Sequence, residues 1–213
     1  TPCGTLFPYT TLFRSGGIQA SGMSHNNTFT DLYIDGSTTG FSSSAWAILV
    51  GDGTFSGNKD LSNFTITNNY MKEFYGGVHL YGGSNSSGDR GADNLVQNNE
   101  VEDMYYYGLY ARNQIRMEVY DNYFESSYQF GSVFYAYYNR NSRVERNIME
   151  NGRWVYFRYE NAQGFNSPIS GDTSTFINNI VNIDNQYGYG IYGYNMYNAM
   201  IYHNTIACEN GYY

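Results

Sequence analysis

Six times between positions 66 and 206 an apolar residue is followed three positions later by asparagine and two positions after that by another apolar residue. The copies are Ile66-x-x-Asn69-x-Met71, Val96-x-x-Asn99-x-Val101, Val119-x-x-Asn122-x-Phe124, Val144-x-x-Asn147-x-Met149, Phe176-x-x-Asn179-x-Val181 and Ile201-x-x-Asn204-x-Ile206. Successive asparagines are 30, 23, 25, 32 and 25 residues apart. A repeat of this length implies stacked supersecondary units, none of which can bury its apolar face alone.

The residue before each asparagine is polar: Asn68, Asn98, Asp121, Arg146, Asn178 and His203. Alternation on both sides of that polar corner predicts a short strand, a tight bend and a second short strand. A stretch rich in Gly, polar and aromatic residues follows, and then a third predicted strand at 78–81, 109–112, 133–138, 155–158 and 191–194. Most of these are entered through glycine (Gly77, Gly108, Gly131, Gly190), which supplies backbone freedom at a corner. Three short strands per turn predict an all-β chain, a right-handed parallel β-helix of about six to seven coils. A helical solenoid would show 3.6-residue periodicity, and a calcium-binding nonapeptide roll a Gly-Gly-x-Gly-x-Asp series; the chain has neither.

Over about residues 61–206 the repeated set resembles the pectin-lyase-like superfamily. The resemblance implies an internal ladder of Asn69, Asn99, Asn122, Asn147, Asn179 and Asn204, linking coils about 4.8 Å apart. A buried Asn at a bend can bond its own backbone and the amide of the next coil, pairing groups that a turn would orphan. The resemblance also implies that the third-strand sheet carries a substrate groove and that the partner is an extracellular polysaccharide. A lyase acting on a uronate-containing polymer is the enzymatic form of that reading, and secretion or display at the cell surface goes with it. A non-catalytic repeat scaffold, such as a surface adhesin or a tail-fibre-like module, is the alternative.

The ends read differently from the middle. Thr5 to Ser15, TLFPYTTLFRS, resembles the conceptual translation of a common short-read sequencing adapter. Residues 1–15 are therefore set aside as an artefactual leader, and 16–213 are read as one domain truncated at both ends. Within it, 16–60 form degenerate first coils and 61–213 the regular repeats. The formal charge of −8 argues against a nucleic-acid partner. No apolar run approaches the roughly 20 residues of a membrane-spanning helix. Two cysteines, Cys3 and Cys208, do not make a disulfide framework. The oligomeric state is not readable.

Alternation along the third strands, with Val78/Leu80, Leu109/Ala111, Val133/Tyr135, Val155/Phe157 and Ile191/Gly193 inward, predicts two outward columns. One is His79, Tyr110, Phe134, Tyr156 and Tyr192; its neighbour is Tyr81, Arg112, Ala136, Arg158 and Tyr194. Aromatic faces suit the C–H faces of sugar rings, and arginine pairs bidentately with carboxylate or sulfate. The same columns also arise where aromatics merely pack across strands to stabilise a sheet. The candidate catalytic set is His79, Tyr110, Arg112 and Arg158, with Tyr81, Phe134, Tyr156, Tyr192 and Tyr194 as substrate contacts. Arginine is a poor base at its ordinary pKa, so His79 or a tyrosine takes that role and the arginines clamp carboxylate. Enlarged loops at 82–91 and 160–171 would wall the groove. A hydrolase needs two carboxylates flanking the bond; Glu160 and Asp103 near the edge do not make a compelling pair. No cofactor motif is present; stacked Glu102, Glu125 and Glu150 offer a Ca²⁺ candidate, with a solvated acidic face as the simpler alternative.

Overall fold

The computed structural model describes residues 12–14, 17–20, 24–37, 43, 45–51, 61–83, 90–163 and 167–210, with backbone alone at 12–14, 163 and 167. The described residues contain strands, turns and bends and no α-helix. Three parallel sheets of eight, seven and seven strands run the length of the chain. Each repeat gives one strand to each sheet, an arrangement consistent with a parallel β-helix. The strand before the asparagine (Thr65–Thr67, Leu95–Gln97, Glu118–Tyr120, Arg143–Glu145) builds the first sheet. The strand after it (Tyr70–Lys72, Glu100–Met104, Tyr123–Ser126, Ile148–Asn151) builds the second. Gly76–Tyr81, Tyr107–Arg112, Ser132–Tyr137, Trp154–Arg158 and Tyr189–Tyr194 belong to the third.

The bend between first and second strands is the same in every repeat. The polar residue before the asparagine is left-handed, with φ of 56° at Asn68, 53° at Asn98, 55° at Asp121, 56° at Arg146, 56° at Asn178 and 56° at His203. Asn, Asp and His are the side-chain-bearing residues most often found in this region, which accounts for their prevalence there; Arg146 adopts it against its preference. The next residue's side chain then turns inward. From Asn99 to Asn204, each asparagine Oδ1 accepts two bonds from the preceding repeat's asparagine, one from its backbone N–H and one from its Nδ2. The backbone bonds are 3.1 Å for Asn69 to Asn99, 3.0 Å for Asn99 to Asn122 and 2.9 Å for Asn147 to Asn179. The Nδ2 groups also donate to main-chain carbonyls, as Asn122 does to Val96 and Tyr120. The ladder is thus closed on itself, and its interior members are buried.

The stack reaches further back than the asparagines. Phe29-x-x-Leu32-x-Ile34 is a repeat with leucine in the asparagine position; Asp31 is left-handed before it, and the Leu32 N–H donates to Asn69 Oδ1 at 3.1 Å. Phe29 pairs with Ile66, Ile34 with Met71 and Ile48 with Val78, so this irregular stretch keeps the register of the later coils. The backbone of Leu12–Arg14, inside the segment set aside above, runs parallel to Tyr33–Asp35 at the end of the second sheet. Apolar columns from all three sheets fill the centre, among them Ile66, Val96, Val119 and Val144 from the first and Met71, Val101, Phe124 and Met149 from the second. Cys208 is a free thiol, and Cys3 lies outside the described residues. No described helix is long and apolar enough to cross a membrane, which says nothing about membrane-spanning strands.

Asn122→Ala removes five hydrogen bonds at a buried position. The expected cost is on the order of 3–5 kcal/mol, because the stranded N–H and C=O groups stay buried. At Asn204, the partly exposed last member of the series, alanine should cost about 1 kcal/mol. Urea unfolding of both variants decides it: equal, small shifts in midpoint would show that the ladder does not hold the coils together.

Candidate functional site

The outer face of the third sheet is paved with rings. Strand pairing aligns His79, Tyr110, Tyr135, Tyr156 and Tyr192 in one outward column. Neighbouring rings touch along its length. His79 and Tyr110 are 4.7 Å apart and edge-on, Tyr110 and Tyr135 are stacked at 5.0 Å, and Tyr156 meets Tyr135 at 4.9 Å and Tyr192 at 5.1 Å. A second column reads Tyr81, Arg112, Tyr137, Arg158 and Tyr194. Its arginines sit between tyrosines: Arg112 Cζ is 5.5 Å from the Tyr81 ring and 4.7 Å from Tyr137, and Arg158 Cζ is 5.3 Å from Tyr137 and 5.7 Å from Tyr194. Cation–π contact holds each guanidinium in place.

A third column, not anticipated from the sequence, borders the first. Trp46 leans over Gly76, where a Cβ would stand 2.2 Å from the indole, and stacks on Tyr107 at 5.6 Å. Further along, Trp154 Nε1 donates to Ser132 Oγ, and the Trp154 ring packs on Tyr189 at 5.8 Å. Arg153 lies 4.2 Å over Trp154 and is a further cation at this edge.

Two expected positions are corrected. Phe134 points into the core, fully buried, with its ring 5.6 Å from Phe157, and so is no substrate contact. Ala136 is inward as well, aligned with Ala111 and Phe157. Their places on the outer face belong to Tyr135 and Tyr137. The cause is the strand entry: Phe134 pairs with Leu109, so Val133 is equivalent to Gly108. Counting inward positions from the first apolar residue, Val133, therefore shifted this strand by one. Such a slip exchanges the two faces.

Exposure grades along the strip. Tyr81 is 3% exposed and His79 8%, against 38% for Tyr192 and 43% for Tyr194. Trp46, Tyr81 and Tyr110 surround His79. Burial, aided by the Arg112 charge, lowers its pKa to about 3, and neither ring nitrogen has a hydrogen-bond partner among the described residues. It is a neutral, covered imidazole. Burial also raises the Tyr110, Tyr135 and Tyr156 hydroxyls, Tyr135 to about 12, with the nearby arginines opposing the shift. These phenols hold their protons at neutral pH, which suits donation and stacking rather than proton abstraction.

The other candidates separate from this face. Glu160 is interior: it occupies the coil position that Gln114 and Asn139 fill in the preceding coils, two residues past the Arg112, Tyr137 and Arg158 column. Asn94, Gln114 and Asn139 form a second buried polar series, with Asn94 Nδ2 donating to Gln114 Oε1 at 2.7 Å and the Gln114 N–H to Asn139 Oδ1 at 2.9 Å. Glu160 continues it by accepting from Ser174 Oγ at 3.1 Å. Of the three stacked glutamates expected on the second sheet, Glu125 and Glu150 are aligned, while Glu102 pairs with Lys72 and the register shifts after Val101; hydroxyl and amide donors meet all three, Tyr70 bonding Glu102 at 2.7 Å, Tyr123 bonding Glu150 at 3.0 Å and Asn151 bonding Glu125 at 2.9 Å. Among the described residues no three of His, Cys, Asp and Glu gather as metal ligands. A cleft of about 430 Å³ is lined by both Glu125 and Asp184, which are 59 positions apart in the chain and show no pattern in the sequence. Most of the 82–91 loop and residues 164–166 of the second loop lie outside the described residues.

Comparison of the chain with protein-family models, with curated proteins and with solved structures finds no match.

Phe134→Ala should destabilise by about 3–5 kcal/mol as a core truncation, and Tyr135→Ala by about 1 kcal/mol as a lost cross-strand contact. Thermal unfolding of the pair reads the inward and outward positions directly. Burial, opposed by Ser174, Asn139 and Arg90, raises the Glu160 pKa from 4.5 to about 7. The folded state holds this proton more tightly than the unfolded chain does. The stability it contributes is therefore complete below about pH 4.5 and is lost as the pH rises through about 7. Glu160→Gln restores the amide used in neighbouring coils. It should flatten stability between those limits and exceed the parent at pH 8 by on the order of 2–3 kcal/mol in urea titrations.

Proposed function

We propose that this chain is a right-handed parallel β-helix of about six to seven coils, related to the pectin-lyase-like superfamily, whose third sheet binds an acidic extracellular polysaccharide. Right-handed winding follows from the strong preference of parallel crossover connections. The observation that carries the binding reading is charge. The seven strands of the third sheet contain no aspartate or glutamate, yet they hold Arg112 and Arg158 in a chain whose formal charge is −8. A cationic, ring-lined strip on an acidic protein suits an anionic ligand with apolar sugar faces.

Cleavage by β-elimination needs a base, and this reading assigns none: His79 is covered, and burial holds the protons on the Tyr110, Tyr135 and Tyr156 hydroxyls. A second reading, a structural scaffold, is favoured by the rings packing on one another along the whole column.

The test is affinity electrophoresis through gels containing acidic or neutral polysaccharides. Acidic gels should retard the protein, and Arg112→Gln with Arg158→Gln should abolish most of that retardation, a loss of roughly tenfold or more in affinity. An unretarded parent protein leaves the scaffold reading. Incubation with uronate polymers should release no unsaturated product; its appearance would place a base outside the strip.

A further inference from the structure

Resting on the acidic-glycan reading, we infer that the strip recognises a polymer charged on alternate sugars, a uronate alternating with a neutral residue. The ligand lies across the strands, along the stacking direction of the coils.

The inference comes from the order of residues in the second column. Tyrosine and arginine alternate strictly over five strands: Tyr81, Arg112, Tyr137, Arg158, Tyr194. The two guanidinium groups are two strands apart, about 9.6 Å at the usual ~4.8 Å per strand. That is close to the length of one extended disaccharide. An extended glycan lying along the column would therefore meet a cation once every second sugar. At the intervening position Tyr137 offers a ring face. A carboxylate placed there would lose water without gaining an ion partner, which costs affinity. A neutral sugar there loses little and gains the ring.

Two features make the column a reader of period rather than a diffuse basic patch. Stacking between tyrosines orients each guanidinium and restricts its freedom before the ligand arrives. Arg158 takes part in none of the ion pairs among the described residues; those employ Lys72, Arg116, Arg140, Arg143 and Arg146. Its neighbours are tyrosines: Nη2 meets the Tyr159 hydroxyl at 3.5 Å, the Tyr135 hydroxyl is a second polar partner, and the guanidinium lies against the Tyr137 and Tyr194 rings. The neighbouring column of Tyr110, Tyr135, Tyr156 and Tyr192 supplies a ring at every coil and so accepts both kinds of sugar.

The test uses calorimetry with size-matched oligosaccharides: hyaluronan, with one carboxylate per disaccharide; polymannuronate, with one per sugar; and an uncharged glucan. Hyaluronan should bind roughly fivefold or more tighter than polymannuronate despite its lower charge, and the glucan weakest. Arg158→Gln should reduce hyaluronan binding about tenfold and lower its salt dependence. Tyr137→Arg places a third arginine in the column and should shift preference toward polymannuronate; circular dichroism verifies its fold. Polymannuronate binding as tightly as hyaluronan, or Tyr137→Arg leaving the preference unchanged in a folded protein, overturns the alternation while leaving acidic-glycan binding intact. Equal binding of the glucan overturns the role of charge, and no binding of any glycan overturns the reading beneath both.

Discussion

One acceptor atom carries the architecture. The Oδ1 of every ladder asparagine after Asn69 takes a backbone N–H and a side-chain N–H from the coil before it, while its own Nδ2 turns to main-chain carbonyls. Both ends of the amide are therefore consumed, in a place where an unpaired polar group would be costly. A one-residue shift of any coil would break these bonds and expose an apolar column. The ladder and the hydrophobic columns consequently specify the same register, the agreement between levels that marks a sequence with one structure.

Register then determines what the outer faces can be. With side chains alternating at period two and strands in parallel alignment, like positions from successive repeats form columns. On the second sheet this brings glutamates together, and tyrosine hydroxyls or an asparagine amide meet them. On the third sheet it brings rings together and threads two arginines between them. The protein is acidic overall, and its acidic groups are absent from these third strands. The local field there is opposite in sign to the net charge, which is the condition for attracting an anion to one face only.

Much of this was legible in the residues and some was not. The six asparagines, the polar corner before them and the three-strand period were read directly, because each reports a backbone conformation or a buried bond that few other residues supply. The first coils look degenerate in part because Leu32 stands in the asparagine position, keeping the backbone bond to Asn69 while lacking the amide. Phe134 and Tyr135 were exchanged because Val133, like Gly108, occupies the entry position, and an apolar entry residue looks like the first inward one. Glu160 suggested an exposed loop edge. It is instead a buried ladder position, whose role is visible only beside Gln114 and Asn139 of other coils.

The sequence by itself determined the repeat, its period and the inward asparagine corner, since these depend on local geometry and on which residues tolerate a left-handed bend or a buried amide. Only the tertiary structure decided which aromatic faces outward, how deeply His79 is covered, and that Arg112 and Arg158 stand in one column with Tyr137 between them. Those properties belong to the alignment of different coils. A single skipped residue at a strand entry, such as the one between Trp154 and Val155 relative to Ser132 and Phe134, changes that alignment without leaving a mark in any one repeat.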